Sequence, residues 1–489
     1  MNKSIKTNFV KKNVWVLAYI AALFIFLWAT FFVANSYREI NKYSLEAQLP
    51  ISARVQDRIG YDYYAELARS FAHGKLYLLG PYHDELSGHK NPYGNEAYNK
   101  KVIIQDAAYY KNKYYIYNGP LPAFIYLMGR VIFGHYPSDY TIALALSIGF
   151  IFLYSIFSFQ AFKSTIFLGE KKYEKAICLL ILFNIFYFNP ISLPYTFLYM
   201  NIHGISRSLG LSLIFFPLIY LMYLVSEKNI SNSKVFLLSL VASLSILCKF
   251  HFIIYVLIFQ FLLFLLSKKI NSLRGMYEFI LRIQNKENIK LLLSILFPLS
   301  IVVAVTLLYN FFRFESFFEF GFKYQTNGLD LFNNPNQLYP AFDFKVGFAI
   351  FIEKLRAYFF AVPSYSESSH YFYPLNQIFI KPFDRYYMDS GTIGILTCMP
   401  ITIIIFYHLL NLKFPFNLII TTKILFFSAT CFVIFFLVPY FAATHYTQEI
   451  LLGVSMLFFV VNQEIRGSLN RLSILLFLII SLIMTPFVR

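Results

Sequence analysis

Long apolar runs alternate along this chain with short basic links and two long, tyrosine-rich polar stretches. Apolar runs fall near 14–34, 139–162, 176–190, 208–225, 235–249, 251–267, 291–311, 391–411, 418–441, 449–462 and 472–488. About 20 apolar residues cross a bilayer core as a helix, and the shorter runs read as buried spans. The pattern predicts an all-α polytopic membrane protein of about 11 membrane-crossing helices, within a range of about 10 to 13. Residues 35–138 and 312–390 interrupt it, and loops beyond about 15 residues usually carry structure or function of their own. Within the first of them, GYDYYAELARSFAHGKLYL over 60–78 puts Tyr64, Leu67, Ala68 and Phe71 at i, i+3, i+4 and i+7. Asp62, Glu66 and Arg69 share another face. That periodicity predicts an amphipathic helix lying along a bilayer surface with its polar face in water.

Composition narrows the class. With 58% hydrophobic and 14% charged residues, the chain has more apolar surface than a set of ordinary soluble domains can bury. The net charge of +17 raises nucleic acid as a partner. Its basic residues sit in short links beside spans, where membrane orientation explains them, so nucleic acid is set aside. Lys11, Lys12, Lys171, Lys172, Lys268, Lys269, Arg274 and Arg466 mark one set of helix ends; only Arg207 and Lys249 mark the short links of the other. By the positive-inside rule residues 1–13 are cytoplasmic, and 35–138 and 312–390 are extracytoplasmic. Spans two to seven then fill 139–311, and spans eight to eleven fill 391–489. The first run, 14–34, reads as an uncleaved span, because bulky Phe32 stands where a signal peptidase needs a small residue before Ala34. Cys178, Cys248, Cys398 and Cys431 all lie in or beside apolar runs and read as packing residues.

The long extracytoplasmic loops are where chemistry is expected. Asp62, just outside the first span, is placed to take a proton from an incoming hydroxyl, although a solvated helix face is the plainer reading. Asp106 is a rival base: in DAAYYKNKYY it precedes Tyr109, Tyr115 and Tyr117 on a short hairpin or irregular loop, where an acid also caps turns. Arg313, two or three residues past the seventh span, suits either a lipid-headgroup anchor or a phosphate held by its planar fork. Lys249 and His251 in the turn between spans five and six, Arg207 near the start of span four, and His445 fall on the same side by topology. Asp84 and Glu85 would hold a divalent cation only with ligands from elsewhere, and no His or Cys spacing suggests a metal site. No Walker or Rossmann fingerprint points to a nucleotide donor.

In order along the chain, the YAELARS helix, DAAYYKNKYYIYNGPLPAFIYLMGRVIFG (106–134), LLYNFFRFESFFEFGFKYQ (307–325) and HYTQE (445–449) resemble the GT-C superfamily of glycosyltransferases. The likeness is to bacterial mannosyl- and arabinosyltransferase-like members that use polyprenyl-phosphate sugars. It implies a helix bundle whose two long loops form juxtamembrane helices around a cavity at the bilayer edge. It also implies a donor of polyprenyl-phosphate-linked sugar, a glycan, lipid or protein acceptor, and an active site on the extracytoplasmic face of a bacterial inner membrane. Asp62 would be the catalytic base, and Arg313 would offset the charge of the departing phosphate. The chain departs from its relatives in three places. Asp62 stands two residues before Tyr64, where relatives place the acid about four before the Tyr-Ala pair. The Lys-Pro-Pro-Leu element is replaced by Asn118 to Pro122, which leaves Lys111 or Lys113 to reach the phosphate. His445, followed by Tyr446, stands where Arg is expected. Two other readings use the same features: an O-antigen polymerase or ligase with a diphosphate-linked donor, and a lipid or sugar transporter of the flippase kind. The near absence of acids within the spans and of an internal repeat counts against the transporter.

Overall fold

The computed structural model describes residues 63–79, 90–94, 107–137, 141–142, 145, 202–224, 230–270, 272–326 and 332–333, and the backbone of 363–366 and 371–374. The spans expected at 14–34, 176–190, 391–411, 418–441, 449–462 and 472–488, and most of 139–162, lie outside the described residues.

Helices dominate. α1 (Tyr63–Ala72) ends at a His73–Gly74 turn, after which the chain bends at 76–77 on its way to Leu78. Strands β1 (Ala108–Tyr110) and β2 (Lys113–Tyr115) pair antiparallel. Lys111 and Asn112 between them both have positive φ, 48° and 60°, as a two-residue hairpin turn with the right twist requires. α2 (Leu121–Phe133) opens on a proline pair, Pro120 and Pro122, in a first turn whose N–H groups would be orphans anyway, and closes on left-handed Gly134. α3 (Ile202–Leu224), α4 (Asn232–Leu244) and α5 (Ile253–Ser267) follow, with single 3-10 turns at Ser245–Leu247 and Phe250–Phe252 between the last two. α6 (Leu273–Leu281) precedes the longest of the described helices, α7 (Lys286–Phe314). β3 (Pro363–Ser366) and β4 (Tyr371–Pro374) form a second antiparallel hairpin. The described residues are mainly helical, as expected, with two small hairpins in the expected long loops, built from tyrosine-rich segments that suit pleated pairing.

Among the described residues two apolar stretches are long enough to cross a membrane, Phe250–Ser267 with 18 residues and α7 with 29. At 1.5 Å per residue α7 spans about 44 Å, more than a hydrocarbon core. Its surface is inverted relative to a soluble helix. Leu293, Leu296, Phe297, Ile301, Val305, Leu308 and Phe312 form an exposed apolar stripe, while Asn288, Thr306, Asn310 and Arg313 are on the buried side. An apolar stripe of that length facing outward matches lipid rather than water. The buried faces of α4, α5 and α7 are joined by hydroxyl and amide groups, as in helix pairs that cannot rely on water to drive association. Ser239 Oγ donates to the Ile295 carbonyl (2.6 Å), and Gln260 Nε2 donates to Ser239 Oγ and Ser243 Oγ, each at 3.1 Å.

Helix ends differ from the expected span limits in two places that affect the site. α3 starts at Ile202 rather than near 208, so Arg207 lies inside the helix and is buried. α7 starts at Lys286, where the Asn285 side chain accepts from the Glu287 N–H, and runs through Phe314. Arg313 is thus in its last turn and not beyond it.

Candidate functional site

The two long loops meet at one end of the α3–α5 and α7 bundle. α1 docks on α2 through Tyr64 against Tyr126 and Phe71 against Phe124. The expected surface helix over 60–78 is shorter and more enclosed than its stripe implied. Tyr63, Tyr64, Ala65, Leu67, Ala68 and Ser70 are all buried, and Arg69 and Ala72 are its exposed positions. The reason is that the hairpin and α2 supply a second wall for a helix whose sequence shows only one apolar stripe.

Backbone hydrogen bonds join this unit to distant segments. Leu78 N donates to the Tyr114 carbonyl (2.9 Å), and Gly119 N to the Cys248 carbonyl (2.9 Å). Ala108 forms an antiparallel bridge with Gln325, and Thr326 N donates to the Ala107 carbonyl (3.0 Å). Gly321 lets the segment turn close to the hairpin: its φ is +86°, and a Cβ there would meet the Phe314 ring at 2.8 Å, Tyr117 at 3.1 Å and Ala108 at 3.2 Å. The segment after α7, 315–326, therefore lies directly against the hairpin of the first long loop.

Arg313 is at the centre of this joint and only 3% exposed. Its Nη1 donates to the Ile116 carbonyl, and its Nη2 to Asn310 Oδ1 at 2.6 Å. The guanidinium lies 3.9 Å from the Tyr309 ring centroid and 4.7 Å from that of Phe314. The acids nearest in sequence are already engaged: Glu315 pairs with Lys111, and Glu319 with Lys323 at 3.1 Å while also accepting from Gly321 N. Among the described residues no carboxylate forms an ion pair with Arg313, and its Nε has no hydrogen-bond partner. Burial removes the headgroup-anchor reading, since a snorkelling side chain must keep its charge in water. Besides the carbonyl, the amide and the two aromatic faces, only the Glu319 carboxylate attracts this charge among the described residues, from beyond ion-pair distance. A buried cation without a direct counter-ion is a costly arrangement that an anion would relieve.

Tyr64 is the second centre. Its hydroxyl hydrogen-bonds the side chains of Ser206 on α3 and Asn118 of the loop before α2, and burial pushes the phenol well above its ordinary pKa. It therefore stays a neutral donor and acceptor linking α1, α3 and the Asn118–Gly119 loop. That loop packs without clearance, because a Cβ on Gly119 would lie 2.0 Å from the Leu247 carbonyl oxygen. Tyr64, Ser206, Asn118 and Asn310 were not among the expected site residues. Tyr64 was hidden by its place in an apolar stripe, and the others show their roles only once distant segments are brought together.

The remaining expected residues divide by position. Lys249, buried at 6% exposure, and His251 flank the turn whose Cys248 carbonyl receives Gly119; buried Arg207 follows Ser206. These three border the same joint as Tyr64. Lys113 is exposed, with its ammonium 4.6 Å from the Tyr77 ring centroid, and Lys111 is held above its usual pKa by its hydrogen bond to Glu315. Arg69 pairs with Glu66 and reaches Tyr136, which also takes Arg130. Lys111, Lys113 and Arg69 are thus on the rim. Asp62, Asp106, His445, Tyr446, Asp84 and Glu85 lie outside the described residues. Tyr63 and Ala107, which follow Asp62 and Asp106 in the chain, both belong to the buried core of the loop unit. Cys248 is buried and free, the packing role expected of it. In comparisons with known protein families, with curated proteins and with solved structures, the chain matches none.

Proposed function

We propose that the chain is an inverting glycosyltransferase that moves a sugar from a polyprenyl phosphate to an acceptor on the extracytoplasmic face of a bacterial inner membrane. In this reading its bundle has about 11 spans, of the GT-C kind. The observation that carries the reading is Arg313: a buried cation with no carboxylate partner among the described residues, at the joint where the segments following Asp62 and Asp106 enter one core. A phosphate-bearing lipid is the anion such a site calls for, and α7, with its lipid-facing stripe, would bring one to it. The reaction is a displacement at the anomeric carbon. The acceptor hydroxyl gives its proton to Asp62, with Asp106 as the alternative base, and its oxygen bonds to the anomeric carbon from the side opposite the phosphate. The bond from that carbon to the phosphate oxygen breaks, and polyprenyl phosphate leaves with one more negative charge. Arg313, with Lys249 and Arg207 as further buried cations, offsets that charge, the kind of fixed electrostatic contribution that dominates many transfer reactions.

The test is transfer of radiolabelled sugar from a polyprenyl-phosphate donor in membranes containing Asp62→Asn or Asp106→Asn. Loss of the base lowers transfer by about 10²- to 10⁴-fold while protein level and donor binding persist. A fall with Asp106→Asn alone assigns the base to Asp106. Full transfer in both variants overturns the reading.

A further inference from the structure

α6 and the links on either side of it form a surface of a different kind from the joint, at the opposite ends of α5 and α7. The helix is capped by Ser272, whose hydroxyl accepts from Gly275 N (3.2 Å), and it packs on the bundle through Phe279 against Phe264. None of its residues is fully buried. At 100° per residue, Leu273, Met276, Tyr277, Ile280 and Leu281 share one broad arc, while Arg274 and Glu278 occupy the other and pair at 3.1 Å. Leu273, Tyr277, Ile280 and Leu281 are 59%, 62%, 55% and 66% exposed, so this apolar arc has no cover from the described chain.

Charge identifies what covers it. Residues 268–290 carry six basic side chains against two acids, Glu278 and Glu287. Both acids are spoken for, Glu278 by Arg274 and Glu287 by Lys290. Lys269, Arg282 and Lys286 make no ion pair among the described residues. Lys269 follows the end of Phe250–Ser267, Lys286 opens α7, and Arg282 caps the C-terminus of α6 between them, which places α6 at the level where those stretches leave the apolar layer. A short helix with an uncovered apolar arc and flanking cations at that level matches the headgroup layer of an anionic bilayer.

We infer that α6 is an interfacial helix whose apolar arc inserts into the bilayer surface and whose flanking cations, Lys269, Arg282 and Lys286, bind anionic lipid headgroups. The lipid is held between the ends of α5 and α7, so the α5–α7 link is an anionic-lipid site separate from the proposed transfer site.

The experiment uses the full chain with Trp15 and Trp28 replaced by Phe and Tyr277→Trp as the only indole, in phosphatidylcholine vesicles containing brominated lipid; Ile280→Trp is a second reporter. Both reporters are quenched by chain-brominated lipid and shielded from aqueous iodide. At equal mole fraction, brominated phosphatidylglycerol quenches as though enriched around α6 by about fivefold or more, the effect of one cation near an anionic surface. The triple variant Lys269→Gln, Arg282→Gln, Lys286→Gln abolishes that enrichment and leaves quenching by brominated phosphatidylcholine in place. Free access of iodide to both reporters overturns the insertion. Shielding from iodide without quenching by any brominated lipid overturns it too, by assigning the arc to protein. Equal quenching by the two lipids in the unsubstituted chain overturns the headgroup site.

Discussion

Tyr115 shows how little a single side chain in the loop unit can be understood alone. Its ring is buried 5.4 Å from Phe314, and burial pushes its phenol up to about 12, while the Arg313 charge pulls the other way. An unfolded tyrosine ionises near 10. The folded value is the higher one, so the stability gained by keeping the phenol neutral is fully present below about pH 10 and is lost as pH rises through about 12. With 39 tyrosines in the chain, the difference in phenolate absorbance between the parent and Tyr115→Phe isolates this group. The expected difference curve rises near pH 12, and a rise near pH 10 would show that the ring is open to water. At this scale the sequence was a partial guide. Arg313 stood out in the sequence because basic groups are rare at the extracytoplasmic ends of the apolar runs. Its burial was not legible, because the carbonyl it holds belongs to Ile116, 197 residues away. Tyr64 was legible only as apolar, since periodicity does not distinguish a packed ring from one whose hydroxyl joins three segments.

Among the elements, the membrane-length helices were the easiest to read. The apolar runs at 208–225, 235–249, 251–267 and 291–311 each correspond to a helix, and the differences lie at their ends. Those ends are set by local hydrogen bonds, such as the Asn285 cap, that hydropathy does not register. The hairpin at 108–115 was one of two expected outcomes; the conformation of Lys111 and Asn112 decides it. α6 was missed as a helix because the basic residues around it dominated the reading of that stretch as a cytoplasmic link. Among the described glycines the closest approach is also hard to see in sequence: the loop at Gly119 against the turn at Leu247 and Cys248. Gly119→Ala puts a methyl group where a carbonyl oxygen stands. The expected loss is on the order of 3–5 kcal/mol, the upper end for single substitutions, read as earlier thermal unfolding in detergent. An unchanged transition would mean the loop sits further from the turn.

For the molecule as a whole, the hairpin of the first long loop packs against the segment following α7, because neither aromatic-rich segment can bury its rings alone. Phe314 and Tyr324 lie in the same cluster as Tyr110 and Tyr115. Ala108→Cys with Gln325→Cys joins the two backbones at their β-bridge, where the spacing of opposed residues suits a disulfide. Oxidation is expected to crosslink proteolytic fragments carrying these positions, and their separation under non-reducing conditions would refute the contact. That seam also sets a schedule for biogenesis. The Arg313–Ile116, Lys111–Glu315 and Thr326–Ala107 pairs connect positions 197, 204 and 219 residues apart. At about 5–20 residues per second, a nascent chain completes the hairpin about 10–40 s before its partners leave the ribosome. For that interval the hairpin edge at Ala108 stands unpaired and open to any other strand, so this protein's most hazardous moment falls midway through its own synthesis.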